Sequence, residues 1–187
     1  MEDAVFSSWK GRTYMKPYRK TSAQSTENQE KVRLSFASLE RDWKYLAEVI
    51  HDAWEKAVQG QPKMGFNEFI ARNVTQRRDG KPVELSVSGG EEIPMNFAAA
   101  GAAAAISATF EAIPSEKHLT LFIRKKVALG EDTPIMRHDC GAAPASPVTV
   151  SSLEAATPYE VYAVVTDAVY ADAKTVSASV SAEVTTG

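Results

Sequence analysis

The sequence predicts an α+β fold, in which an N-terminal extended arm and helices precede an antiparallel β-sandwich. Residues 7–22, SSWKGRTYMKPYRKTS, hold five Lys or Arg and three aromatic residues without an acid. Apolar residues then recur at alternating steps of four and three, the spacing of an amphipathic helix. Beyond residue 82 the apolar period changes to two, which is typical of half-buried strands.

Length, composition and charge favour two domains. The 187 residues can fill two small cores, and 44% hydrophobic with 24% charged residues is an ordinary globular balance. Residues 1–81 carry 15 Lys or Arg and 11 acids, which gives a net charge of +4. Residues 82–187 carry 6 Lys or Arg and 13 acids, which gives a net charge of −7. The predicted segments are a basic-aromatic arm at 1–25, a helical module at 26–73, a linker at 74–82 and a sandwich at 83–187.

A long amphipathic helix is predicted to begin after Thr26. Thr26 followed by Gln29 fits a capping box, in which each side chain bonds the backbone N–H of the other residue. A continuous helix to Gln59 would run roughly 50 Å, so we expect a break near residues 44–46 or a partner from another subunit. Its apolar stripe consists of Val32, Phe36, Leu39, Trp43, Leu46, Ile50, Ala53 and Ala57.

The helical module has a thin predicted core. One further short helix is predicted at residues 64–73, with Met64, Phe66, Phe69 and Ile70 as its apolar residues. Burial of so little apolar area does not offset the entropy of ordering the chain, so we expect either the sandwich or a second copy to cover the stripe. Of these two, self-association is the prediction.

Short alternating segments indicate the sandwich. Apolar alternation occurs at residues 83–87, 106–110, 119–123, 159–165 and 176–184. About 100 residues of this kind, separated by Gly, Pro and Ser clusters, predict an antiparallel sandwich. The stretch FAAAGAAAA at residues 97–105 leaves loop, strand and helix open, and we take it as a loop that feeds a strand.

A motif near the C-terminus points to a family. Leu153, Thr157 and Tyr159 stand at an L-x-x-x-T-x-Y spacing, and with these residues 83–187 resemble a fibronectin type III domain. The resemblance implies a tyrosine corner, in which the Tyr159 hydroxyl bonds backbone upstream of it. The family's early Trp is replaced by Phe110, which leaves an Ig-like sandwich as the alternative.

A second pattern spans residues 9–69 and reads W-K-G-x-x-Y, then T-x-x-Q-x-x-x-R-x-x-F, then G-x-N-x-F. It resembles a set of uncharacterised bacterial and prophage-encoded proteins, which implies a phage-related or mobile-element context and no known activity. The matching positions are Trp9, Lys10, Gly11, Tyr14, Thr26, Gln29, Arg33, Phe36, Gly65, Asn67 and Phe69.

The basic-aromatic arm is the predicted partner-binding region. Phosphates attract its cations and single-stranded bases stack on aromatic rings, but a net of +4 is modest for a nucleic-acid-binding half. We therefore expect a protein partner and keep nucleic acid as the alternative. The residues assigned to partner contact are Trp9, Lys10, Arg12, Tyr14, Lys16, Tyr18, Arg19, Trp43 and Trp54.

The sequence predicts no enzyme, cofactor, metal site or small-molecule substrate. Residues 137–140 place His138, Asp139 and Cys140 side by side, but catalytic Cys and His normally meet through the fold, so we expect a surface loop here. One Cys with three scattered His makes no metal site. Gly-rich phosphate loops are absent from the sequence.

The predicted role is that of a non-enzymatic structural protein, as a phage or prophage virion-associated component. The arm and helix would anchor an oligomer or larger assembly, and the sandwich would project from it. The first residues, MEDAVFSSWKGR, show no secretion signal, and no run of eighteen apolar residues occurs. We therefore expect a cytoplasmic protein at synthesis without membrane contact.

Overall fold

The computed structural model describes residues 4–9, 12–17, 25–131 and 133–187. The chain divides into two compact units, residues 1–30 and residues 31–187. In the first unit, β1 (Ala4–Trp9) pairs antiparallel with β2 (Arg12–Pro17), and Trp9 stands opposite Arg12. The predicted extended arm is therefore extended in each strand but folds back on itself.

Three helices follow: α1 (Glu27–Tyr45), α2 (Glu48–Ala57) and α3 (Gly65–Arg78). Before α1, the Thr26 N–H donates to Gln29 Oε1 at 3.0 Å and the Gln29 N–H donates to Thr26 Oγ1 at 3.3 Å, so both bonds of a capping box are present. The chain leaves the helix after Tyr45, and Ala47 is extended, with φ −75° and ψ 162°. The long helix is thus broken close to the predicted position.

The third helix runs further than predicted and ends at Arg78, so residues 74–78 of the expected linker are helical. Asn73 ties this helix to the segment that follows it. Its Oδ1 accepts the Glu84 N–H at 2.7 Å, and its Nδ2 donates to the Glu84 carbonyl at 2.9 Å. A side chain on α3 thereby satisfies backbone groups that a sheet partner would otherwise bond.

Residues 83–87, predicted as a strand, belong to no sheet. Their backbone bonds mainly to side chains and makes no continuous ladder. The N–H groups of Leu85 and Ser86 donate to Ser179 Oγ at 3.0 and 3.2 Å, and the Ser179 N–H donates to the Ser86 carbonyl at 2.9 Å. The prediction of a strand at this point is wrong for that reason.

The described residues beyond 90 form two antiparallel sheets. Their strands are β3 (Ala98–Ala102), β4 (Ala105–Thr109), β5 (His118–Lys125), β6 (Met136–Ala142), β7 (Val148–Val150), β8 (Pro158–Thr166) and β9 (Val180–Thr185). One sheet has the order β3-β4-β7 and the other the order β6-β5-β8-β9. This arrangement is a fibronectin type III-like sandwich, as predicted.

Two local predictions within the sandwich are corrected. Most of residues 97–105 forms β3 and a tight turn, because Ala104 adopts a φ of +49° and lets the chain reverse into β4. Residues 137–140 lie within strand β6 and not in a loop. There Leu121 pairs with His138 across the ladder, and a register shift follows at Leu119/Thr120.

Strands β5 and β8 are buried on both faces. One face carries Ile123, Tyr159 and Val161, which pack on Ile106 of β4 within the sandwich. The other face carries Phe122, Tyr162 and Val164, which pack with Leu39, Ile50, Trp54 and Phe69 of the helices. The sandwich of the same chain therefore covers the middle of the apolar stripe, including Leu39, Ile50 and Ala53. Its two ends stay exposed, at Val32, Phe36 and Ala57.

Candidate functional site

The arm residues assigned to partner contact are only partly described. Arg12 is exposed at the start of β2. In the antiparallel register, Trp9 stands opposite Arg12, Ser7 opposite Tyr14 and Val5 opposite Lys16. Because residues two apart share a face of a strand, the basic and aromatic positions of β2 and Trp9 fall on one face of the ladder. Three assigned residues, Lys10, Tyr18 and Arg19, lie outside the described residues.

The two helical tryptophans assigned to partner contact lie in the interior or at its edge. Trp54 is fully buried, and its indole N–H donates to the Leu85 carbonyl at 3.1 Å. Trp43 is half-buried and its ring stacks on His51, with centroids 4.1 Å apart. The assignment of Trp54 to a partner is therefore wrong, because its surface is used inside the chain.

A buried ionic cluster joins the helices to the four-stranded sheet. It consists of Asp42, Arg77, Arg124 and Glu160, and each residue is at least nine-tenths buried. Arg77 donates to Asp42 Oδ2 at 3.0 Å and to Glu160 Oε2 at 3.2 Å. Two cations and two carboxylates thus balance in charge, as buried ions require.

Neutral donors and acceptors complete the cluster. The Tyr162 hydroxyl donates to Glu160 Oε2 at 2.7 Å, and Arg124 Nη2 donates to Ser38 Oγ at 2.7 Å. Burial raises the pKa of Asp42 above its usual range, against the opposing effect of Arg124 and Arg77. Only Arg77 Nε is a buried side-chain polar atom without a partner in the described part of the chain.

The ionic cluster ties the helices to the four-stranded sheet. Its carboxylates are occupied by guanidinium donors, which stay charged at all relevant pH values. A cavity of about 300 Å³ lies beside it, lined by Arg77, Arg124 and residues 126–131. Sequence reasoning missed this cluster, because its members are scattered and no local spacing relates them.

The candidate Cys-His pair is not assembled for catalysis. The Cys140 thiol lies 3.7 Å from the backbone carbonyl of His138. Burial raises the pKa of Cys140 to about 11, so the thiol is protonated at neutral pH and is a poor nucleophile. Asp139 instead bonds the Thr120 hydroxyl at 3.2 Å. Across the described residues, no group of three or more metal-ligating side chains converges.

The tyrosine corner residues lie together at the start of β8. The Tyr159 hydroxyl accepts the Glu154 N–H at 3.1 Å, five residues upstream. Thr157 Oγ1 donates to the Ala155 carbonyl at 2.9 Å, and Leu153 packs against the cluster that contains Tyr159. These contacts fix the crossing between the two sheets.

An acidic groove with an apolar floor lies beside the sandwich, between residues 90–95 and 111–117, with a volume of about 400 Å³. The exposed fractions of Ile93 and Met95 are 46% and 60%. Glu91, Glu92 and Glu111 line it, with Lys117 as the single cation. The sequence analysis did not predict this groove.

Comparisons with known proteins bear on the sandwich. No family model matches the chain, and no curated protein matches it. The chain is similar to the fn3 domain of human collagen alpha-1(XX) chain, with 26% identity, a TM-score of 0.42, and coverage of 55% of this chain and 90% of that one.

Two more solved structures are similar at lower identity. For the FN5 domain of Drosophila Lar, the identity is 14%, the TM-score 0.37 and the coverage 51% of this chain and 98% of that one. For a myokine structure, the identity is 13%, the TM-score 0.38 and the coverage 52% of this chain and 98% of that one. The sandwich is fibronectin type III-like. This conclusion rests on the two antiparallel sheets, one of three strands in the order β3-β4-β7 and one of four in the order β6-β5-β8-β9.

Among the described residues, no helix combines the length and the apolar character that a membrane crossing needs.

Proposed function

We propose that this protein is a non-enzymatic assembly or adaptor component, which its N-terminal arm anchors to a protein partner. The observation that carries the proposal is that residues 1–30 form a compact unit of their own, whose described strands are only β1 and β2. A two-stranded sheet is marginally stable in water. A surface on another molecule would supply the apolar burial that a two-stranded sheet cannot supply by itself.

The composition of the arm supports a binding role. Residues 4–26 contain five Lys or Arg and no acid. By register, Trp9, Arg12, Tyr14 and Lys16 share one face of the ladder, so aromatic and cationic positions are brought together. Such a face suits an acidic partner with exposed apolar groups.

The sandwich and helices support a display role. The helices pack on one face of the four-stranded sheet, and the ionic cluster fixes them there. A rigid body of this kind holds its loops in place for recognition. Anchoring through the long helix is not part of the proposal, because the sheet already covers the middle of its apolar stripe, including Leu39, Ile50 and Ala53.

The setting we propose is a phage or prophage virion. Its support is the pattern at residues 9–69, which resembles prophage-encoded proteins. In a virion, many copies of one chain are held through repeated contacts, and an arm of this kind is suited to such contacts.

Light scattering on the intact chain over a hundredfold range of concentration tests the proposal. We expect association that rises with concentration and that the double variant Trp9→Ser/Tyr14→Ser abolishes. Trp9 and Tyr14 are chosen because a partner contact needs their apolar area. An intact chain that stays monomeric throughout, or that associates equally with the variant arm, would contradict the proposal.

Nucleic acid is the second candidate, because cations and aromatic residues share a face of the arm by register. A mobility-shift titration with DNA and RNA at low and physiological salt tests it. Counterion release predicts steep weakening with salt for a nucleic-acid ligand. No binding at low salt removes this candidate, whereas binding that Arg12→Glu/Lys16→Glu abolishes favours it over a protein partner.

A further inference from the structure

The acidic groove between residues 90–95 and 111–117 exposes apolar surface that a globular body normally buries. Ile93 is 46% and Met95 60% exposed. Ile113 and Pro114 line the opposite side of the groove. An exposed apolar floor with a polar rim is typical of a surface that binds another molecule.

The rim of the groove carries a surplus of negative charge. Three glutamates line it against a single lysine. That lysine, Lys117, is already paired with Glu91, whose Oε2 lies 2.8 Å from Nζ. Glu111 accepts a hydrogen bond from the neutral amide of Asn96. The unneutralised charge therefore rests with Glu92 and Glu111.

The N-terminal arm has the complementary composition. Residues 4–26 carry a net charge of +5, whereas the whole chain carries −3, so the rest of the chain carries −8. Arg12, Tyr14, Lys16 and Trp9 share one face of the ladder by register. The arm thus offers aromatic area for the apolar floor and cations for the acidic rim.

We infer that the groove is the receptor for the N-terminal arm of a second copy of this chain. The inference rests on the proposed function and names the partner of the arm. Arm and groove are different surfaces of one chain, so their contact is heterologous and links copies head to tail. If the rotation from one copy to the next brings the last copy back to the first, a closed ring forms; otherwise the copies form an open filament.

The experiment uses two full-length variants with reversed charge, in nuclease-treated protein. Arg12→Glu/Lys16→Glu reverses the arm, and Glu92→Lys/Glu111→Lys reverses the groove. Analytical ultracentrifugation of each variant alone should show a dissociation constant at least about tenfold higher than that of the native chain, because like charges then oppose each other. Mixed together, the two variants should associate again, since native arms meet native grooves and reversed arms meet reversed grooves of opposite charge.

A matched control changes the same charge elsewhere. Asp52→Lys/Glu55→Lys alters two exposed acids on α2 and should leave the association unchanged. Circular dichroism checks the fold of each variant. If the reversed groove does not fold, Met95→Ser replaces it, because this milder change still removes apolar contact area from the groove and should weaken association.

The outcomes separate the two levels of inference. A mixture that stays monomeric while the native chain associates overturns the groove as the receptor. Association that the arm reversal abolishes but the groove reversal leaves intact also overturns it, and leaves the proposed function standing. A native chain that is monomeric at every concentration overturns both the proposed function and the groove as the receptor. This outcome includes the case in which the arm binds the groove of its own copy.

Discussion

Asp42 on α1 and Arg124 on β5 form a buried ion pair in which one nitrogen, Nη1, lies 2.7 Å from Oδ1 and 2.5 Å from Oδ2. The two residues are 82 positions apart in the chain, and both side chains are almost fully buried. Arg77 of α3 donates to the same carboxylate. Asp42 is thus the point at which two helices and the four-stranded sheet are joined.

Asp42→Asn should strongly destabilise the protein. The substitution keeps the size of the side chain but leaves Arg77 and Arg124 with one fewer negative charge, and an unbalanced buried charge costs roughly 3–5 kcal/mol. Urea denaturation monitored by tryptophan fluorescence measures the free energy of unfolding. Asp52→Asn, at an exposed position of α2, is the control and should cost less than about 0.5 kcal/mol. Equal losses in the two variants would contradict the role of Asp42.

Local features of the fold were predictable from the sequence, because each depends on residues close together in the chain. Thr26 and Gln29 are three positions apart and form the predicted capping pair. The strand periodicity around Tyr159 depends on its immediate neighbours. Hydrophobic patterns report which face of an element is buried, and they do so here for Ile50 and Ala53 of α2. They fail for the first half of α1, where Val32 and Phe36 are exposed and the buried residues are mostly polar.

Long-range features were not predictable in the same way. The apolar stripe at residues 32–57 predicted that another surface covers it. Nothing in its spacing distinguishes a sheet of the same chain from a second copy. The bond from Trp54 to Leu85 crosses 31 positions and turned a predicted contact residue into a core residue. The groove at residues 90–95 and 111–117 likewise forms only when two distant loops meet.

Tyr170 should make stability depend on pH in the alkaline range. It is 2% exposed, and its hydroxyl accepts the Ala47 N–H at 2.9 Å, at the break between α1 and α2. Burial raises the pKa of Tyr170 to about 12. An unfolded tyrosine ionises near pH 10, so the unfolded state releases its proton first and stability falls between pH 10 and about 12.

The loss attributable to Tyr170 should reach about 2 kcal/mol by pH 12. Tyr170→Phe removes this ionisation, so its free energy of unfolding should fall less steeply over the same range. At pH 7 the variant should already be less stable by about 1–3 kcal/mol, because the Ala47 N–H loses its acceptor. Tyr45→Phe, at a position 62% exposed, should keep the native slope. A native slope in Tyr170→Phe would contradict the prediction.

Gly101→Ala should destabilise the sandwich through a backbone clash. A Cβ at Gly101 of β3 would lie 1.8 Å from the Thr185 carbonyl oxygen of β9. The strands would have to separate, and the adjoining bond from the Gly187 N–H to the Ala102 carbonyl, 2.9 Å long, would be strained. Overpacking of this kind costs roughly 1–3 kcal/mol.

Thermal or urea unfolding measures the effect of Gly101→Ala. Ala100→Ser is the control, because Ala100 is exposed on the same strand and a hydroxyl there meets solvent. Its free energy of unfolding should stay within about 0.5 kcal/mol of the native value. If Gly101→Ala were as stable as this control, β3 and β9 would not approach as closely as the structure shows.

Cys140 should be chemically slow in the folded protein. With its pKa raised from the ordinary 9.0 to about 11, the thiolate fraction at pH 8 falls about a hundredfold, and alkylation follows the thiolate. Iodoacetamide should therefore react much more slowly with the native chain than with the urea-unfolded chain. His138→Ala is the decisive comparison, because the contact of Cys140 is with the His138 carbonyl and not with its ring. An unchanged native rate is expected, whereas a slower one would show a histidine-activated thiol and favour an enzyme over an assembly protein.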